Sequence, residues 1–149
     1  MNYRKGACAM IFKGRALLLV RKQHYPANQY ALPGGGSEPG EKMLDTFYRE
    51  MREELGLMKS DFTDVHQASK NLTYVWEEKF VKELGYDGQD KAIFVARMND
   101  TKITLNEENE AYIFLTPEEL DSIIMFENEK RLFNELRSLG ELPPSPAPP

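Results

Sequence analysis

The sequence predicts an α/β sandwich, in which helices pack against a β-sheet. Short apolar runs typical of strands occur along the 149 residues, together with two longer segments in which apolar side chains recur every three or four positions. Hydrophobic residues make up 41% and charged residues 29% of the chain, which is close to the average for globular domains. We therefore predict one domain over residues 1–140 and a proline-rich, disordered tail over residues 141–149.

The N-terminal part is predicted to contain three strands and a flexible connection. Lys13-Gly14-Arg15 separates two apolar runs, and glycine supplies the backbone freedom of a hairpin turn. Pro33 ends the third strand, and three consecutive glycines follow it. The predicted elements are the strands Ala7–Phe12, Ala16–Arg21 and Tyr30–Leu32 and the glycine connection 34–36.

A charged helix is predicted from Lys42 to Leu55. Leu44, Phe47 and Met51 recur with Leu55 at spacings of three and four, which places them on one face of a helix. Gly56 is a typical C-terminal stop. The helix should therefore be amphipathic, with its charged face turned away from the core.

The second half of the chain is predicted to alternate strands with helices. A helix should begin at Thr116-Pro117, since threonine suits the N-cap position and proline the first helical position. A last amphipathic helix is predicted over Phe126–Leu139 and is stopped by Gly140. The predicted strands are Phe62–Ser69, Leu72–Trp76, Ala92–Met98 and Tyr112–Leu115.

Composition argues against several classes of protein. No window approaches 18 apolar residues, so we expect no membrane segment. The net charge of −5 argues against an extended nucleic-acid surface. Cys8 is the only cysteine and cannot form an internal disulfide, which is compatible with the cytoplasm. The expected assembly is a monomer or a homodimer.

Three glutamates converge on one face of the charged helix. Glu50, Glu53 and Glu54 are separated by three and four positions, and like charges at these spacings destabilise a helix by a few tenths of a kcal/mol per pair. A solvated acidic face with salt bridges is one interpretation. The other is a site for Mg²⁺ or Mn²⁺, which take oxygen ligands and are often held by carboxylates together with substrate phosphates.

The spacing around these glutamates favours the metal site. Gly35, Glu41, Arg49-Glu50, Met51, Glu53-Glu54, Gly56 and Leu57 fill every specified position of the pattern G-x5-E-x7-R-E-U-x-E-E-x-G-U, where U is aliphatic. This pattern resembles the signature of the Nudix hydrolases. The resemblance implies an α/β/α sandwich with a mixed central sheet and a catalytic loop-helix-loop, and hydrolysis of a nucleoside diphosphate linked to another group.

The resemblance also implies roles for individual residues. The metal ligands would be Glu50, Glu53, Glu54 and the backbone carbonyl of Gly35, holding Mg²⁺ or Mn²⁺. Arg49 would orient a catalytic glutamate, and Glu41 would support the loop through a salt bridge. The predicted catalytic residues are accordingly Arg49, Glu50, Glu53 and Glu108. Glu108 matches an acidic residue that precedes a strand in relatives, with Glu107 and Glu110 as rivals.

The segment Gly85–Met98 resembles the branch of RNA pyrophosphohydrolases and diadenosine tetraphosphate hydrolases. That branch carries G-Q-x-Q-K-W-F before a strand, and this chain keeps Gly88-Gln89 and Phe94 but lacks the second glutamine and the tryptophan. In this branch, basic residues matching Arg4 and Lys22 would contact 5′-phosphates.

Aromatic residues near the predicted site are candidates for stacking on a base. Tyr86 is the predicted substrate contact, and Tyr25 with His24 could border the pocket. Core packing is the alternative for each aromatic. The other aromatic residues of the same long segment, Asn71–Gln89, are Tyr74, Trp76 and Phe80.

The function expected from these observations is a Mg²⁺-dependent Nudix pyrophosphohydrolase. RNA 5′-triphosphate ends or dinucleoside polyphosphates are the first substrates expected. A pyrophosphatase that removes unwanted nucleoside triphosphates, or a nucleotide-sugar hydrolase, is the alternative. A non-catalytic Nudix binding module is a further alternative, against which the complete set of Glu50, Glu53 and Glu54 argues.

Overall fold

A computed structural model describes residues 2–143 of the chain. The strands are β1 (Tyr3–Lys13), β2 (Ala16–Lys22), β3 (Gln29–Tyr30), β4 (Gly34–Gly36), β5 (Phe62–Gln67), β6 (Leu72–Val75), β7 (Gly88–Met98), β8 (Asn109–Leu115) and β9 (Ile124–Met125). The α-helices are α1 (Met43–Leu55), α2 (Glu78–Leu84) and α3 (Glu127–Ser138), and 3-10 turns span Lys59–Asp61 and Pro117–Ser122. Residues 144–149 of the predicted tail lie outside the described residues.

The sheet is mixed, as the sequence predicts. Seven strands form it, with the order β5-β7-β1-β2-β8, while β4 pairs with β1 and β6 pairs with β7. The central pair, β1 and β7, is parallel over ten residue positions from Tyr3 to Phe12, and the other pairs in this sheet are antiparallel. A separate parallel pair joins β3 to β9.

The two faces of the sheet are covered by different helices. Along β1, Ala7, Ala9 and Ile11 pack in one buried cluster with Phe47, Met51 and Leu55 of α1. Their neighbours Cys8, Met10 and Phe12 pack in the opposite cluster with Leu132, Phe133 and Leu136 of α3. Because successive side chains of a strand point to opposite faces, this alternation establishes the predicted α/β/α sandwich.

The glycines at 34–36 form a strand, where the sequence suggested a flexible connection. They pair antiparallel with Gly6, Ala7 and Cys8 of β1. A Cβ atom at Gly34 would lie 2.2 Å from the carbonyl oxygen of Ala7, so a side chain there would prevent this close approach of the two backbones. Glycine is therefore needed at position 34, because only a residue without a side chain lets the segment before α1 lie this close to β1.

The helix α2 lies between β6 and β7, in a segment where the sequence pattern predicted no helix. Among the helices within residues 2–143, none combines the length and the hydropathy that crossing a membrane requires.

Candidate active site

A polar cavity of about 330 Å³ lies where α1, β4 and the ends of several strands meet. We call it the carboxylate cleft. It brings together most of the residues that the sequence singled out. Its walls are formed by Arg4, Lys22, Gly34, Gly35, Gly36, Glu50, Glu53, Glu54, Gln89, Lys91, Asn106 and Glu108.

Arg49 joins the carboxylates that surround the cleft. Its guanidinium donates to both oxygens of Glu41, at 2.8 and 3.0 Å, and its Nη1 donates to Glu50 at 3.1 Å and to Glu53 at 3.2 Å. Its Nη2 also donates to the carbonyl of Gly36 at 2.8 Å. Hydrogen bonding to Arg49 lowers the pKa of Glu41 to about 2. The predicted supporting salt bridge of Glu41 is therefore present.

Glu54 is the most buried carboxylate of the cleft, with 2% of its surface exposed. Its Oε2 accepts the backbone N–H of Gly34 at 2.9 Å, and Asn109 also hydrogen-bonds to it. Burial, followed by the charge of Glu50, raises the pKa of Glu54 from 4.5 to about 7. The site thus holds a carboxylate whose ionised form is disfavoured until a positive charge arrives.

Glu50 and Gly35 are in direct contact across the cleft. A Cβ atom at Gly35 would lie 2.5 Å from the carboxyl carbon of Glu50, so only glycine leaves room for that carboxylate against the strand. Burial raises the pKa of Glu50, Arg49 lowers it, and the charges of Glu53 and Glu108 add to the rise. Glu53 is more accessible, since 50% of its side-chain surface is exposed.

Glu108 lies in the wall of the cleft, whereas its two rivals do not. Glu110 forms an ion pair with Arg21, and Glu107 is exposed. The backbone of Glu108 is held at both ends: its N–H donates to the side chain of Asn106 at 3.2 Å, and its carbonyl accepts the N–H of Gln23 at 3.0 Å. Of the three candidates, Glu108 is therefore the one that lines the cleft.

The donor set of the cleft fits a hard divalent cation. Its side-chain ligands are carboxylate oxygens, and the backbone of Gly35 lies beside them, which is the oxygen environment that Mg²⁺ and Mn²⁺ prefer. Within residues 2–143, no three His, Cys, Asp or Glu side chains lie in an arrangement that could hold a metal ion as they stand. Glu50 and Glu53 bond to Arg49 instead. A cation would therefore compete with Arg49 for these oxygens.

Three cations also line the carboxylate cleft. Arg4 is exposed and lies against Gly36, and Lys22 and Lys91 are partly buried. For the part of the chain that the structure describes, none of these three side chains takes part in an ion pair within 4.0 Å. The sequence identified Arg4 and Lys22, and the structure adds Lys91.

A second cavity of about 440 Å³ adjoins the carboxylate cleft. We call it the aromatic cavity. Tyr25, Tyr74 and Phe126 line it, and the rings of Tyr25 and Phe126 meet edge to face at 5.7 Å. Lys22, Gly34, Gln89 and Lys91 belong to the walls of both cavities. The remaining lining residues are Ala31, Leu32, Asn128 and Glu129.

Glu129 is a buried carboxylate in the aromatic cavity, with 8% of its surface exposed. Its Oε1 accepts the N–H of Leu32 at 2.8 Å. Burial raises its pKa to about 7, while this hydrogen bond, Lys91 and Lys22 act in the opposite direction. The sequence contained a signal for it, because Glu129 falls in the apolar stripe of α3 with Leu132, Phe133 and Leu136.

The predicted substrate contact at Tyr86 is not supported, because Tyr86 lines neither cavity. It follows Gly85, which ends α2, and 37% of its surface is exposed. Tyr74 on β6 lines the aromatic cavity instead, and its hydroxyl donates to Oε1 of Gln89 at 2.8 Å.

Curated relatives match most of the chain. A nucleoside triphosphatase NudI from Escherichia fergusonii is 29% identical over 130 residues, covering 80% of this chain and 86% of the relative. NudI from Salmonella newport is 32% identical over 132 residues with the same coverage.

Solved structures share the fold. The Ap4A hydrolase binary complex from C. elegans matches with a TM-score of 0.71 and 21% identity, covering 91% of this chain and 96% of that one. A MutT NUDIX hydrolase from Burkholderia pseudomallei matches with a TM-score of 0.72 and 16% identity, covering 91% and 99%.

The family assignment rests on the sequence, the site and the fold together. The NUDIX domain family matches residues 2–136, which include β1 through most of α3 and every residue that lines the carboxylate cleft. The residues of the signature Gly35–Leu57 form the strand, loop and helix that build one side of that cleft. The chain belongs to the Nudix family and is a MutT-like hydrolase.

Proposed function

We propose that this protein is a divalent-metal-dependent pyrophosphohydrolase that converts a nucleoside triphosphate to the nucleoside monophosphate and pyrophosphate. The observation that carries this proposal is the pair of adjoining cavities. One is polar and lined by carboxylates and cations, the other is aromatic, and they share four wall residues. Each volume falls in the range of roughly 300–1,000 Å³ typical of small-molecule sites.

A nucleoside triphosphate has two chemically different ends that match these cavities. Its base would lie in the aromatic cavity, between Tyr25, Tyr74 and Phe126, because stacking on aromatic rings stabilises any base by about 1–3 kcal/mol. Its phosphates would lie in the carboxylate cleft, where Arg4, Lys22 and Lys91 offer positive charge. The nucleoside triphosphatases among the relatives support the same substrate class.

Glu50, Glu53, Glu54 and Gly35 would hold the metal. A divalent cation bound there would neutralise phosphate charge and lower the pKa of water. In the reaction, the oxygen of water forms a bond to phosphorus, the anhydride P–O bond breaks, and pyrophosphate leaves. The proton of water would pass to a carboxylate of the cleft, for which Glu53 and Glu108 are the candidates. Arg49 would orient Glu50 and Glu53 through the hydrogen bonds of its Nη1.

A substrate panel tests the proposal. Ribo- and deoxyribonucleoside triphosphates, diadenosine tetraphosphate, triphosphorylated RNA and a nucleotide sugar would each be incubated with Mg²⁺ and with Mn²⁺. We expect nucleoside triphosphates to give monophosphate and pyrophosphate. We expect the Glu53→Gln, Glu54→Gln double variant to be inactive, and Glu107→Gln, which removes an exposed acid beside the cleft, to keep full activity.

Two results would overturn this proposal. Orthophosphate in place of pyrophosphate as the released product would show that a different anhydride bond is cleaved. Turnover confined to the nucleotide sugar would exclude the substrate class, although the metal site would stand.

Dinucleoside polyphosphates and RNA 5′-ends are the second candidate substrates. The exposed position of Arg4 at Gly36 favours them, since a cation at the mouth of the cleft can contact a longer polyphosphate or the next nucleotide. We rank them second because these two cavities already match the base and the phosphates of one nucleoside triphosphate. The cytoplasmic location, the assembly as a monomer or homodimer, and the domain boundary at residue 140 stay predictions.

A further inference from the structure

Lys91 is a partly buried cation on the wall between the two cavities. It lines both the carboxylate cleft and the aromatic cavity. The position is rigid, because β7 lies between two neighbours there: Lys91 is opposite Gly6 of β1 and opposite Leu72 of β6. A side chain on such an element is placed more accurately than one on a loop.

Within the described part of the chain, the ammonium group of Lys91 makes no direct contact with a carboxylate, although the charges of Glu129 and Glu54 act on it from a greater distance. In residues 2–143, Nζ of Lys91 makes no hydrogen bond and no ion pair within 4.0 Å. The exposed lysines nearby behave differently, since Lys5 pairs with Asp90 at 2.7 Å and Lys70 pairs with Glu135. Since no described carboxylate lies within 4.0 Å of Nζ, the N–H donors of this cation on the cavity wall are available to an anionic ligand.

The side chain of Gln89, close to Lys91 in the shared wall, is held in place by a hydrogen bond from Tyr74. Gln89 lies two residues before Lys91 on the same strand and lines the same two cavities. Its Oε1 accepts the hydroxyl of Tyr74, so its two amide N–H donors are left to bond elsewhere. The shared wall therefore combines an ammonium group with a neutral donor, which is a suitable pair for phosphate oxygens.

The geometry points to Lys91 as the residue that binds the α-phosphate of the substrate and so sets which anhydride bond faces the carboxylates. This inference rests on the proposed function. A nucleotide with its base in one cavity and its terminal phosphates in the other must place the phosphate next to the nucleoside at the shared wall. The α-phosphate is that group, and Lys91 and Lys22 are the lysines of that wall.

Binding of nucleosides and nucleotides separates this role from a structural one. The four ribonucleosides, their 5′-monophosphates and pyrophosphate would be tested as inhibitors of wild type and of Lys91→Gln. We expect the variant to bind the monophosphate roughly 10- to 150-fold more weakly, which corresponds to the loss of one hydrogen bond to a charged group. Binding of the nucleoside, which has no phosphate, should be unchanged.

Steady-state kinetics and matched variants complete the test. Lys91→Gln should raise KM for the triphosphate by a similar factor, and Lys91→Arg should recover most of it. Lys102→Gln is the control, since Lys102 is exposed and lines neither cavity. Equal losses for nucleoside and monophosphate would show that Lys91 only maintains the shape of the cavity, and would overturn the inference. Values for Lys91→Gln that equal those of Lys102→Gln would also overturn it.

The two proposals fail in distinguishable ways. A wild-type protein that hydrolyses no nucleoside triphosphate contradicts the proposed function, and with it the role of Lys91. A wild-type protein that releases pyrophosphate normally, with Lys91→Gln unaffected in KM and in monophosphate binding, contradicts the role of Lys91 alone.

Discussion

Glu54 and Glu129 occupy comparable positions on opposite sides of the sheet, and their surroundings differ in charge. Glu54 lies on α1 and accepts the N–H of Gly34, while Glu129 lies on α3 and accepts the N–H of Leu32. Both are buried, and burial raises the pKa of each to about 7. The backbone N–H groups of Leu32 and Gly34, two residues apart, therefore each donate to a carboxylate from a different helix.

The neighbouring charges distinguish the two carboxylates. The charge of Glu50 raises the pKa of Glu54 further and Lys22 lowers it, whereas both charges that act on Glu129, those of Lys91 and Lys22, lower its pKa. Glu54 thus belongs to an acidic group that a metal cation can neutralise, and Glu129 already faces lysines. Under the proposed function, the same contact between a helix and the Leu32–Gly34 segment would serve a metal site on one side and a binding cavity on the other.

The largest expected effect is on turnover, and it distinguishes the carboxylate on α1, Glu54, from the carboxylate on α3, Glu129. Glu54→Gln keeps an oxygen to accept the N–H of Gly34 but removes a metal-binding charge. We expect its kcat to fall by at least about 10- to 100-fold, which is the range for loss of groups that only support metal ligands. Initial rates with Mg²⁺ would measure it. If Glu129→Gln lowers kcat equally, the proposed division between the two sides is wrong.

The next effect is on substrate binding from the α3 side. Phe126→Ala removes one ring from the aromatic cavity, and we expect KM to rise by about 5- to 150-fold, equivalent to a stacking contribution of roughly 1–3 kcal/mol. Saturation kinetics would measure this, with kcat expected to stay near that of wild type. Tyr86→Ala is the matched control, and a comparable rise in KM for it would restore the contact predicted from the sequence.

The smallest effect is on stability, and it depends on pH. Without metal, Glu54 binds more protons in the folded than in the unfolded protein, so its contribution to stability falls as the pH rises from 4.5 towards about 7. Mg²⁺ at about 100 times its Kd should raise the free energy of unfolding by roughly 2.7 kcal/mol, which corresponds to a rise of about 5–10 °C in Tm.

This stabilisation by Mg²⁺ should be larger at pH 8 than at pH 6, because the cation binds the ionised carboxylate. Thermal melts at both pH values, with and without Mg²⁺, would measure it. Glu129→Gln should keep the Mg²⁺ shift and Glu54→Gln should lose most of it. A Mg²⁺ shift that is equal at both pH values in wild type would contradict the assignment of Glu54 as a ligand.

Local sequence patterns predicted α1 and its chemistry well. Phe47, Met51 and Leu55 set the buried face of α1, which runs from Met43 to Leu55 and ends at Gly56 with a positive φ of 67°. Leu44, which the sequence placed on the same face, is 41% exposed. The glutamates of the signature then follow from helical spacing, because residues three and four apart share a face. Such features depend on neighbours in the sequence and can be recognised without a fold.

Features that depend on distant pairing were harder to predict. The strand at Gly34–Gly36 exists because it pairs with Gly6, Ala7 and Cys8, which are about 28 residues earlier in the chain. The short helix α2 has only 7 residues and no buried side chain, so it leaves no apolar periodicity to detect. It ends just before Tyr86, the predicted substrate contact, which lines neither cavity.

By itself, the sequence determined the fold class, the order of most elements and the set of carboxylates, since hydrophobic period and signature spacing are local properties of the chain. Only the tertiary structure decided which other residues join them. Gln89 and Lys91 come from β7 and Glu129 from α3, and they meet at the Leu32–Gly34 segment because the parallel pairing of β1 with β7 and the packing of α3 bring them there. The pKa values of Glu54 and Glu129 were decided in the same way, because burial and neighbouring charge exist only in the folded chain.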